Sequence, residues 1–187
     1  MVAEGLLSRL LKPLQAFSRR KEGATALEFA LVGPPFFLLL MALAEVAVMS
    51  VVQSNLNFAM SETARRIRTG EIQSAGLSAA DVKAEVCRGM SRIMPVDCRN
   101  DLFVDVRKFS QFADVAGNDP GGDGVLDPGE FAYDPGVASD IVLARGFYRW
   151  QVFTPFFAGV FANLPGGDRL MTSAIMFRNE PWPAPVT

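Results

Sequence analysis

Few residues of this chain are suited to covalent chemistry. Among its 187 residues there is no histidine, which removes the commonest general base, the usual serine and cysteine protease dyads and nearly all catalytic zinc sites. The two cysteines, Cys87 and Cys98, are too far apart for a C-x-x-C redox pair. Two constellations remain. RRKEGATALEF, residues 19–29, sets a basic run before Gly23 and leaves Glu28 alone in an apolar stretch. DPGGDGVLDPGE, residues 119–130, spaces acids along a Gly- and Pro-rich loop. Neither is a catalytic set, so the chain does not read as an enzyme. A net charge of −2 and a pI of about 5.2 give no footprint for nucleic acid.

The first constellation has the form of a prepilin-peptidase recognition site: Arg19, Arg20 and Lys21, then Gly23, Ala24 and Glu28. Cleavage after Gly23 leaves an α-ammonium on Ala24, and Glu28 lies four residues on, on the same helix face. A carboxylate in the bilayer costs on the order of 2.5–3.5 kcal/mol on insertion scales, so it should seek a cation. The new amine, of the same or a neighbouring subunit, is the available one. The bland alternative is a basic flank that orients a membrane helix, with an acid near its start. In the second constellation, Asp119, Asp123, Asp127 and Glu130 fall at the spacing of calcium-loop ligands. Gly121 at the third position supplies no side-chain oxygen, and Pro120 and Pro128 oppose an EF-hand. An ordinary turn is the favoured reading, with no metal and no cofactor required.

The elements that must position these residues follow from hydropathy. Mean hydropathy is +0.21, with the apolar excess gathered between Leu27 and Val52. Residues 1–23 form a basic leader that is either an amphipathic surface helix or a weakly structured tail. ATALEFALVGPPFFLLLMALA, 24–44, suits a bilayer span of about 20 residues, and the membrane helix is expected over 24–54. Gly33, Pro34 and Pro35 predict a kink. Basic residues before the span keep the N-terminus cytoplasmic, although Arg65, Arg66 and Arg68 weaken that asymmetry. Residues 55–187 are then periplasmic.

Beyond Glu45 the helix continues, with Val48, Val52, Leu56, Ala59, Met60, Thr63 and Ile67 on one face and Gly70 as its stop. A second helix starts at Ser78 as N-cap, with Asp81 in its first turn, and ends before Pro95. Strands are expected at 102–109, 141–153 and 170–177, with Gly146 marking a bulge or a close contact. The fold class is α+β, a long N-terminal helix running into a domain with a second helix and about three antiparallel strands. In an oxidising periplasm, Cys87 and Cys98 should pair as a disulfide. The aromatic stretch 155–164 could pack on partner subunits, but the commoner fate of such residues is the domain's own core.

GATALEFALVGPPFFLLL resembles the membrane anchor of TadE-like proteins. So do ARRIRTGEIQ at 64–73, the cysteines flanking the second helix, DIVLARGFYRW at 140–150 and FRNEPW at 177–182, in the family's order. The resemblance implies a pilin-like (pseudopilin) protein of the bacterial inner membrane, structural in role. It would serve the assembly and secretion system of a tight-adherence pilus, a thin adhesive pilus related to type IV pili. Implied partners are the prepilin peptidase, another TadE- or TadF-like pseudopilin, the major pilin and membrane proteins of the secretion platform. Carried over by position, Gly23 and Ala24 flank the cut and Glu28 is the pilin glutamate. Two other readings compete. One is an uncleaved membrane-anchored adaptor in envelope assembly. The other is a secreted periplasmic binding module released after Ala42-Leu43-Ala44.

Overall fold

The computed structural model describes residues 23–92, 95–115, 120 and 125–182. Arg19, Arg20, Lys21, Asp119 and Asp123 lie outside them, as does the question of leader helix or tail. The chain divides into two units, Met1–Ala44 and Glu45–Thr187. Helix α1, Ala24–Arg68, contributes to both.

In the first unit α1 presents its apolar side chains outward: Phe29, Leu31 and Val32 are each about two-thirds exposed. Among the described residues, α1 is the one helix long and apolar enough to cross a membrane, with mean hydropathy 2.3 over its most apolar stretch. α1 stays helical through Pro34 and Pro35. The φ that proline fixes is itself helical, and what the pair costs is two amide donors. Gly33 is buried beneath the Phe29 ring, whose nearest atoms lie 3.5 Å from where a Cβ would stand.

The second unit is an α+β domain. Along α1, Val52, Leu56, Ala59, Met60, Thr63 and Ile67 are buried, as the apolar spacing predicts, while Val48 is only half-buried and its neighbour Met49 is buried instead. Gly70 then takes a left-handed φ of 78°, and a single turn α2, Glu71–Ser74, follows. Helix α3, Ala79–Met90, opens on a capping box: the Ser78 hydroxyl accepts from the Asp81 amide, and the Asp81 side chain accepts from the Ser78 amide. Its Val82, Val86 and Met90 are buried.

Strands β1, Leu102–Phe109, β2, Ile141–Gln151, and β3, Asp168–Arg178, form one antiparallel sheet in the order β1-β2-β3. Val104, Gly146 and Ser173 stand abreast, and the register runs past Gly146 without a bulge. Val142, Ala144, Tyr148 and Trp150 join the buried faces of α1 and α3 in one core. A Cβ on Gly146 would stand 2.7 Å from Met60 Sδ and 3.1 Å from Leu56 Cδ1, so the glycine serves the close contact of sheet and helix.

The opposite face of β2 is buried too, including Ile141, Leu143, Arg145 and Phe147. Part of its cover comes from the segment before β2. The Phe131 ring stacks on Phe103 at 5.0 Å and meets Phe147 at 5.5 Å, and Tyr133 bridges Val106 in parallel.

Candidate functional site

The helix begins at Ala24, directly after Gly23. A Cβ on Gly23 would meet nothing within 4 Å, and its φ lies outside the left-handed region. Neither packing nor backbone conformation among the described residues therefore demands glycine there. Glu28 sits one turn on, exposed and without an ion pair among the described residues. Its neighbours along the helix, Leu27 and Phe29, are exposed and apolar.

Glu45 is the residue whose role the sequence did not show. Read from hydropathy, it marks only the end of the apolar run. In the fold it is 4% exposed, and its two carboxylate oxygens accept the amides of Phe153 at 2.7 Å and Thr154 at 3.0 Å. Those are the amides left without ladder partners as β2 ends. The carboxylate ties the loop after β2 to the first residue of the domain.

That loop leads into the aromatic stretch, where the expected core burial is not what the fold shows. Phe153, Phe156 and Val160 are 64%, 73% and 74% exposed. A short turn, Pro155–Phe157, and a one-turn helix α4, Ala158–Phe161, carry Phe156 and Val160, and Phe153 lies just before them. Phe157 and Phe161 are half-buried. The rings contact one another, Phe156 with Phe157 at 5.2 Å and Phe157 with Phe161 at 5.7 Å. Phe161 packs against the edge of the core, while Phe156 and Val160 on the same short elements face away from it.

The two short motifs near residues 68 and 180 form a single structure. The Glu180 amide donates to the Arg68 carbonyl at 2.9 Å, and the Arg68 and Glu180 side chains pair at 3.3 Å. The Trp182 ring lies against Gly70, with Cδ2 only 2.6 Å from where a Cβ would be. Asn179, 2% exposed, donates through its side-chain amide to the carbonyls of Pro135 and Val137. Arg66 bonds both Glu71 and Glu85, and these carboxylates raise its already high pKa, the Glu85 hydrogen bond most of all. The RTG and RNEPW segments clasp the end of α1 to the chain's last described residues. Their contacts make a structural clasp of backbone, ion pair and ring.

The acidic loop behaves as a turn where it is described. Asp127 caps the short turn Pro128–Glu130, accepting from the Gly129 amide at 2.8 Å. The Glu130 carbonyl accepts from Arg107. Asp119 and Asp123 fall outside the described residues, and among those described no group of His, Cys, Asp and Glu could hold a metal ion. The buried charge of this region is Asp105 instead. It accepts from Arg145 at 2.7 Å, Arg107 at 2.8 Å and the Ala132 amide at 2.9 Å, holding the loop against β1 and β2. Cys87, in α3, and Cys98, before β1, are joined as a disulfide with Cα atoms 5.8 Å apart.

Residues 23–65 match the family model described as TadE-like protein. The match opens at Gly23 and runs along α1 to Arg65, taking in the anchor on which the sequence resemblance rests most heavily. No curated protein and no solved structure matches the chain.

Proposed function

We propose that this chain, TadE-like over residues 23–65, is a minor pilin-like component of a tight-adherence pilus system, held in the bacterial inner membrane by residues 24–44. In this reading residues 1–23 are a cytoplasmic leader, the helix spans the membrane, and the α+β domain stands in the periplasm. The family is associated with the tight-adherence pilus and is structural in kind. What carries the reading is the coincidence at Gly23. The family match opens there, the helix opens one residue later, and nothing among the described residues requires the glycine to lack a side chain. A peptidase that cuts after glycine supplies that requirement.

The cut frees the Ala24 amine one helical turn from Glu28, inside an apolar surface where a lone carboxylate is expensive. Glu28 then selects a neighbour: its charge is satisfied by the N-terminal ammonium of its own chain or of an adjacent subunit. Partners engaged in this way are another TadE- or TadF-like pseudopilin and the major pilin. The prepilin peptidase and the secretion platform act on the same segment during assembly. Glu28→Ala removes the carboxylate and leaves Gly23 and the basic run in place. Cleavage and insertion should survive, since an apolar span without its charge inserts more readily. Co-purification of partner subunits from membranes should fall. Undiminished partner recovery from Glu28→Ala would remove Glu28 from the assembly role.

A further inference from the structure

The segment from Trp150 to Gly167 contains no charged residue, and Arg149 and Asp168 close it at either end. Within it Phe153, Phe156 and Val160 are mostly exposed, an apolar display of the kind that marks an interaction surface. Two observations fix where in the domain this patch lies. Glu45, the first residue of the domain unit, holds the amides of Phe153 and Thr154. Val46, itself exposed, and Phe161 line one shallow cavity together with Met49 and Ser50. The patch therefore lies beside the first turn of the domain's share of α1, and Glu45 follows Ala44 directly in the chain.

We propose that the Phe153–Phe161 loop is a lipid-docking surface, inserting its exposed aromatic and aliphatic side chains into the periplasmic interface of the bilayer. The inference rests on the reading that residues 24–44 span the membrane. A span of that length ends at Ala44, which puts Glu45 and the loop bound to it at headgroup level. Aromatic side chains at a bilayer interface bury an apolar body at the edge of the hydrocarbon. The uncharged composition of the loop allows that burial, and Arg169, which donates to the Phe161 carbonyl at 2.9 Å, stands at its border with a charge suited to lipid phosphate. The buried Glu45 carboxylate becomes the device that fixes the depth of the loop. Among the exposed apolar residues of the domain, Phe58 gives the contrast: it stands thirteen residues beyond Glu45, about 20 Å along the helix.

The test uses the full-length chain in vesicles of phosphatidylethanolamine and phosphatidylglycerol, with or without lipids brominated on the acyl chain. Tryptophan is introduced singly as Phe156→Trp, Val160→Trp, Phe58→Trp and Leu39→Trp, and the emission of the parent protein is subtracted. The first two positions are surface positions, so either serves if the other disturbs the fold. Phe156→Trp and Val160→Trp should lose emission to the brominated lipid, as Leu39→Trp does in the span, and resist aqueous iodide. Phe58→Trp should show the reverse. Leu39→Trp quenched by lipid while both loop positions answer only to iodide would overturn the docking surface and leave the span intact. Loop positions shielded from both quenchers would also overturn it, placing protein rather than lipid on the patch. An unquenched Leu39→Trp would overturn the span and the inference with it.

Discussion

Asp81 and Gly70 show two ways in which one residue fixes an element boundary. The Ser78 hydroxyl and amide both donate to the Asp81 carboxylate, at 2.6 and 2.9 Å, and the hydroxyl bond above all holds its pKa below the usual carboxylate range. A lowered folded-state pKa contributes stability that is present above the unfolded value of about 3.9 and is lost as pH falls through the folded value. Asp81→Asn should therefore lower the thermal midpoint at neutral pH. The gap from the native protein should close as the pH is taken below the carboxylate range, and a gap independent of pH would contradict the assignment. Gly70 combines a left-handed φ with the Trp182 ring against its Cα. Gly70→Ala adds backbone strain and a clash, and a loss of about 1–3 kcal/mol or more is expected from chemical denaturation. Ser78, Asp81 and Gly70 were legible from local sequence because caps and stops act within one turn. Glu45 was not, because its partners stand 108 and 109 residues away and no local spacing announces them.

At the scale of elements, periodicity carried most of the information. The buried face of α1 beyond Glu45 and strand β1 follow the apolar pattern, since a residue's side of a helix or strand is set by its index alone. The strands β2 and β3 end at 151 and 178 instead of 153 and 177, and β3 opens at 168 instead of 170. These shifts are set by pairing, which neither segment reveals by itself. Helix α3 stops at Met90, ahead of Pro95. The aromatic stretch follows the expectation only in part, since Phe157 and Phe161 are half-buried while Phe156 and Val160 stay exposed, and composition alone does not say which of them faces inward. Cys87 and Cys98 staple α3 to the approach of β1, closing a loop whose chain entropy is worth about 3 kcal/mol. Non-reduced protein should show no free thiols, and reduction should lower the midpoint of unfolding by a corresponding amount. Two titratable thiols in the oxidised protein would contradict the pairing.

For the whole molecule, Glu45 and the RTG–RNEPW clasp hold the α+β domain to the far half of α1, while the disulfide staples α3 to the approach of β1. In the proposed function it is residues 24–44 that meet lipid and neighbouring subunits. The exposed apolar residues of 24–44 and the buried face beyond Glu45 belong to one helix, Ala24–Arg68. The functional reading places its decisive chemistry at neither surface but at a single peptide bond, Gly23–Ala24. The most direct measurement is N-terminal mass spectrometry of the protein isolated from membranes of cells with an active prepilin peptidase, alongside Gly23→Leu. The account predicts a mature chain beginning at Ala24 and a full-length chain from Gly23→Leu, whose larger side chain obstructs the cut without disturbing the fold. A native protein that still begins at Met1, or one that begins at Glu45 after cleavage behind Ala44, would contradict it.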